Sequence, residues 1–399
     1  MPKISDRGLR MPASPIRRLV PYAEAAKSSG TVVYHLNIGQ PDIATAPAFW
    51  EGIAGYREKV LSYSHSAGLA SYRQAYAQQL NQKGYGLSAD DVLISTGGSE
   101  ALVMAMMACF DPGDEILIPE PFYANYNGFA AMGGVVLRPF TTLIEENFAL
   151  PAVEDLAGAV GPKTRAIMIC NPNNPTGTLY TRQELAGLAA LAKAHDLFLI
   201  ADEVYREFVY DGLEHDSILS LEGMEEHAVV VESTSKMYSA CGARIGALIT
   251  RNRDLMGTIL KYAQARLSPP TLDQAGALSA LLHTGRDYFD GVRSEYVARR
   301  NTMVQALNAL PGVQCPLPGG AFYAVARLPI DDSDAFCQWM LEHHRHEGAT
   351  VMMAPATGFY ATPGLGKQEV RLAYVLDQES LVRAMDCLAT GLVAYQARG

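Results

Sequence analysis

The chain has 399 residues, 49% of them hydrophobic and 19% charged, the make-up of an ordinary globular protein long enough to bury two domains. A net charge of −10 without any basic block argues against a nucleic-acid partner, and no apolar run approaches the roughly 18 residues that span a bilayer. Residues 1–18 lack the apolar core of a secretion signal, and six cysteines without a C-x-x-C pair read as reduced thiols, so a cytoplasmic protein with no membrane contact and no metal site is expected.

In chain order, the stretch up to residue 35 has weak periodicity and reads as an arm with a short helix. From Trp50 to Thr250, apolar strands alternate with helical stretches, as in a mostly parallel sheet covered on both faces. Strands are expected at 92–95, 115–118, 135–139, 165–170, 198–201, 229–232 and 247–250. Helices are expected at 99–110, after the Gly97-Gly98 pair, and at 181–194, which opens on a Thr181…Glu184 capping box. After residue 267 the pattern changes, with helices at 273–283 and 288–310, strands at 322–327 and 369–375, and a helix at 333–348 between them. The fold class is therefore α/β. A large domain over residues 46–284 would carry a mostly parallel seven-stranded sheet, and a smaller α+β domain would combine 1–45 with 285–399.

Three strand ends deliver polar groups to one place. The first is Ser233-Thr234-Ser235-Lys236, followed by Arg244. A lysine past a buried strand end sits where open α/β sheets present reactive groups, and a desolvated lysine forms Schiff bases with aldehydes. The serines and the arginine suit a phosphate, so an aldehyde carrying a phosphate, pyridoxal phosphate, is suggested. The second end is Asn171-Pro172-Asn173-Asn174-Pro175-Thr176-Gly177, and the third is Asp202-Glu203-Val204-Tyr205. A buried carboxylate such as Asp202 can keep a pyridine nitrogen protonated, which makes the ring an electron sink. Asn174 and Tyr205 could bond the ring oxygen. Thr96-Gly97-Gly98-Ser99-Glu100 links a strand to a helix whose N-terminus favours an anion. Neither nucleotide-binding glycine motif is present.

Together with Gly39-Gln40-Pro41-Asp42, Tyr63, Tyr123 and Arg371, these motifs occur in the order seen in the class I aminotransferases. The chain resembles these aspartate-aminotransferase-like, fold-type I pyridoxal phosphate enzymes from about Ile38 to Arg371. The resemblance implies that Lys236 carries the cofactor as a Schiff base and later moves the substrate proton. It implies that Asp202 pairs with the ring nitrogen, that Asn174 and Tyr205 hold the ring oxygen, and that Tyr123 stacks on the ring. Gly97, Gly98, Ser99, Ser233, Ser235 and Arg244 would surround the phosphate, joined by Tyr63 of the other subunit of a homodimer. Arg371 would clamp the substrate carboxylate, with Gly39 and Asn174 beside it.

The implied activity is ping-pong transamination between an L-amino acid and a 2-oxo acid such as 2-oxoglutarate. Aspartate and glutamate are favoured and aromatic amino acids are possible. Arg266 and Arg17 are candidates for reading a side-chain carboxylate, and Phe322 and Tyr323 for lining the pocket. The alternatives are another activity on the same scaffold (a β-lyase, decarboxylase or racemase) or a non-catalytic cofactor-binding sensor. His343-His344-Arg345-His346 reads as a solvated helix face rather than a metal site.

Overall fold

A computed structural model describes residues 2–9 and 11–398. All seven expected strands form: β2 (Val92–Ser95), β3 (Glu115–Glu120), β4 (Val136–Thr141), β5 (Thr164–Cys170), β6 (Phe198–Asp202), β7 (Ala228–Ser233) and β8 (Gly246–Ile249). They make one sheet in the order β2-β8-β7-β6-β5-β3-β4, in which only β8 runs antiparallel to its neighbours. Side chains alternate between two buried layers, as a sheet covered on both faces requires. Val229 and Val231 join one core cluster while Ala228 and Val230 join the other. On β5, Met168 and Cys170 face the first cluster, and Ile167 and Ile169 the second.

The N-terminal and C-terminal parts meet through a strand pair that the sequence reading did not contain. β1 (Val32–His35) runs parallel to β10 (Ala349–Met352), with Val32 opposite Ala349. Beside them, β11 (Ala354–Pro355), β12 (Glu369–Ala373) and β9 (Tyr323–Arg327) form a small antiparallel sheet. The first core cluster runs on without a break into residues of this sheet, including Tyr323 and Leu372.

Two boundaries differ from expectation. The helix after β2 begins at Gly97 rather than Ser99, and Gly97 itself takes a left-handed φ of +73°, which glycine adopts without strain. The helix expected over 333–348 stops at Glu342, and the chain turns through Glu347 and Gly348, both at positive φ, into β10. His343 is therefore the last residue's cap, and His344 is buried against Trp339 with its Nε2 3.0 Å from Thr390 Oγ1, not on a solvated face. Helices Arg253–Arg266 and Gln378–Gln396, capped by Asn252 and Asp377, are additions to the expected set. The Thr181…Glu184 capping box forms as read.

Candidate active site

The C-terminal ends of β5, β6 and β7 and the loop after β3 open on one cavity of about 530 Å³. Its wall contains Gly39, Gly98, Ser99, Tyr123, Asn174, Asp202, Tyr205, Ser233, Ser235, Lys236, Arg244 and Arg371, twelve of the residues singled out in the sequence. Lys236 sits on the single turn Thr234–Met237, which Ser233 caps by accepting from the Ser235 N–H. Its Nζ donates to the Gly39 carbonyl at 2.8 Å and lies 3.7 Å from Cys241 Sγ. Burial, helped by the charges of Arg371 and Arg244, lowers its pKa from the ordinary 10.5. That raises the fraction of neutral, nucleophilic amine.

Asp202 ends β6 on the same face as Ile200, and burial pushes its pKa up to about 6. The Tyr126 hydroxyl, 2.7 Å from Oδ2, the Val204 N–H and the Lys236 charge act against that rise. The next residue, Glu203, turns to the opposite face, where it accepts from Ser217 and the Ile218 N–H. This is the alternation that aims Asp202 alone into the cavity.

Arg371, in the middle of β12, is fully buried between the rings of Tyr323 and Phe359, with Cζ 4.6 and 4.9 Å from their centroids. It donates to Asn174 Oδ1 at 3.2 Å and to the Asn37 carbonyl, while its Nε has no partner among the described residues. No carboxylate of the described residues pairs with it. Tyr205 and Tyr323 share a hydrogen bond of 2.9 Å between their hydroxyls.

The side of the cavity around Arg244 is built by close approach. Arg244 lies in the left-handed region at φ +55°, and its guanidinium packs where a Cβ of Gly97 would stand. Gly246 in turn leaves room for the Gly97–Gly98 backbone. The N-terminus of a 13-residue helix, two serine hydroxyls and an arginine thus converge. This donor set, facing a buried carboxylate across one cavity, fits a phosphorylated pyridine aldehyde.

Tyr63, expected to serve the other subunit's site, is 78% exposed and lies outside this chain's own cavity. Other expectations are not met there. Gly97 lies beneath Arg244 rather than in the wall. Phe322 is packed under the site, 5.9 Å from Lys236 Nζ, whereas Tyr323 does line it. Arg266 is a correction: it is absent from the wall because Glu100 holds its guanidinium at 3.0 Å. Arg17 does line the cavity, and its side chain has no hydrogen-bonded partner among the described residues.

The sequence reading missed Tyr126, whose N–H donates to the Tyr123 carbonyl at 2.9 Å in the first turn of the helix Asn125–Gly133. It also missed the seating of the arm. Met11 rests on Gly128, Pro15 on Gly358, Ile16 packs with Phe359, and Arg18 pairs with Asp334. Residues 11–17 thereby roof the cavity.

The family model for aminotransferase class I and II matches residues 31–388. An aspartate aminotransferase of Musicola paradisiaca is 30% identical, over all of this chain and 98% of its own. An aromatic-amino-acid aminotransferase of Thermococcus litoralis is 31% identical over 96% of each chain. The aspartate aminotransferase of Thermus thermophilus, solved with maleate, superposes with a TM-score of 0.89 at 28% identity, covering 98% of this chain and all of its own. With a match of this extent over a cavity of this composition, the chain belongs to the class I and II aminotransferases and is a pyridoxal-phosphate-dependent transaminase of the aspartate-aminotransferase-like type.

Proposed function

We propose that this transaminase moves the amino group between an L-amino acid and a 2-oxo acid such as 2-oxoglutarate by a ping-pong sequence, with aspartate and glutamate favoured and aromatic amino acids accepted. The observation that carries this reading is Arg371: a buried guanidinium without a protein carboxylate, in the same cavity as Lys236. Burying an unpaired charge is costly unless a ligand completes it, and a bidentate α-carboxylate does so. Among the described residues of the wall, a dicarboxylate donor has one cation left to meet, Arg17. The relatives named for aspartate and for aromatic amino acids support the breadth of the range.

Pyridoxal phosphate, when bound, supplies the electrophilic carbon and the protonated ring that takes up electron density. Lys236 would hold the cofactor through that carbon, and its desolvated Nζ would serve as the base for the substrate Cα proton. Asp202 holds the proton on the ring nitrogen, and Tyr126 holds Asp202. With Asn174 Oδ1 engaged by Arg371, the Asn174 amide and the Tyr205 hydroxyl are left to bond the ring oxygen. Gly98, Ser99, Ser233, Ser235 and Arg244 would hold the phosphate, Tyr123 would face the ring, and Gly39 would flank the substrate carboxylate, all of them in the wall of the one cavity. The arm at 11–17 excludes water.

In this reading residues 46–284 are the cofactor-bearing domain, and 1–45 with 285–399 are the small domain. The β1·β10 pairing supports that grouping. The substrate is then held from both, by Arg371 on one and Lys236 on the other. Tyr63, projecting from its own chain, completes the phosphate site of a second copy in a homodimer. Six unpaired cysteines suit the cytoplasm.

The test is the half-reaction. Holoenzyme mixed with one amino acid and no oxo acid should lose the visible absorbance of the lysine-bound cofactor with aspartate or glutamate, and more slowly with tyrosine or phenylalanine. Release of ammonia, carbon dioxide or thiol without that spectral change would refute transamination. A response to apolar amino acids alone would refute the dicarboxylate preference.

A further inference from the structure

We propose that Arg266 is a positioning residue that ties this chain's own phosphate cradle to the loop it lends to the other subunit, so that each subunit's cofactor affinity depends on Arg266 of both chains. The proposal rests on the reading of Tyr63 as a residue that serves the second copy's site. Arg266 ends the helix Arg253–Arg266 and is largely buried. One arm of its guanidinium donates to Glu100 Oε2 at 3.0 Å and reaches Thr96 Oγ1 at 3.5 Å. Glu100 Oε2 also accepts from the Thr96 N–H at 2.7 Å. Both partners bracket Gly97, Gly98 and Ser99, so this contact fixes the turn that receives the phosphate. The other arm donates to the carbonyls of Ser66 at 3.0 Å and Ile94 at 3.3 Å.

Ser66 belongs to the loop that carries Tyr63, and the residues flanking Tyr63 are held by the segment just after Arg266. Thr271 Oγ1 donates to the Ser62 carbonyl at 3.0 Å, and Gln274 Nε2 to Ser64 Oγ at 3.0 Å. Gln274 Oε1 accepts from the Leu69 N–H at 2.8 Å, which closes the loop at its far end. The turn between these anchors passes through Leu267 at φ +81°, a strained conformation for a leucine. Tyr63 itself is left exposed with both neighbours pinned. A fork of several donors in fixed geometry is needed to hold two carbonyls and a carboxylate at once, which arginine has and lysine lacks. The residue that resembled a substrate-reading arginine in the sequence is therefore committed to two cofactor sites.

Hybrid dimers separate the two arms. When one chain carries Lys236→Ala, only the other chain's site gives the visible absorbance of lysine-bound cofactor, and its affinity is read by titration with pyridoxal phosphate. Arg266→Gln is placed either on the chain with intact Lys236, altering the cradle of the live site, or on the Lys236→Ala chain, altering the loop lent to it. The dissociation constant should rise about tenfold in both arrangements, the loss of a charge-assisted contact, with the thermal midpoint of the hybrids close to that of the parent. Glu100→Gln, a milder change, should repeat both effects. A rise in one arrangement only, or in neither, overturns the proposal. Tyr63→Phe on the Lys236→Ala chain is the control. If it leaves the live site's affinity normal, the lending of Tyr63 is wrong. If it weakens that site while Arg266→Gln on the same chain does not, the coupling through Arg266 alone is wrong.

Discussion

Asp202 joins the chemistry of the site to the stability of the protein. Its pKa is about 6 in the folded, cofactor-free chain against an ordinary 3.8, so the folded state binds the proton more tightly than the unfolded one. The stabilising contribution is complete below about pH 4 and is lost as pH rises through 6, a change on the order of 3 kcal/mol. Asp202→Asn should therefore be more resistant to urea than wild type at pH 7 without cofactor, and the difference should vanish near pH 4. A difference that stays constant with pH would mean that burial does not raise this carboxyl. Tyr126→Phe should move the wild-type transition to higher pH, because it removes the bond that favours the ionised form. Lys236 and Asp202 were legible as polar residues at the ends of apolar strands. Tyr126 was not, because its partner is 76 residues away in sequence and nothing local marks a tyrosine as the support of a carboxylate.

At the scale of elements, the turn proposed to cradle the phosphate depends on a helix start that sequence periodicity placed two residues late. Gly97 is required twice, once for its φ of +73° and once because the Arg244 guanidinium stands where a Cβ would be. Gly97→Ala should cost roughly 1–3 kcal/mol of stability, and it should weaken cofactor binding more than tenfold, since it displaces Arg244. Thermal melting and cofactor titration measure the two effects, and normal affinity in this variant would show that the cradle tolerates movement of Arg244. Six of the seven strands were legible as short, largely buried apolar runs between turns, and β4, with Arg138 and no fully buried residue, through its alternation with the flanking helices. β1 was not, since it is partly exposed and pairs with a strand more than 300 residues later.

For the whole molecule, the consequential surface is the one around Tyr63. Val60, Leu61 and Tyr63, together with Trp50 on the preceding helix, are all more than half exposed. Runs of large exposed apolar side chains mark interaction sites. Dilution should therefore lower specific activity and cofactor affinity together, in step with the monomer fraction seen by analytical ultracentrifugation. A monomer that retained full activity would contradict the sharing of Tyr63 between subunits.

By itself the sequence determined the class of fold, the family and the polar residues at strand ends that share one cavity with Lys236. Those features depend on local patterns: alternation along buried strands, polar residues at strand ends, glycines at a turn. The tertiary structure alone decided what each arginine does. Arg244, Arg266 and Arg371 look alike in a sequence, but one packs on Gly97, one is held by Glu100, and one is buried without a carboxylate. The role of a charged side chain is set by the partners that reach it through space, and those come from strands, helices and loops far apart along the chain.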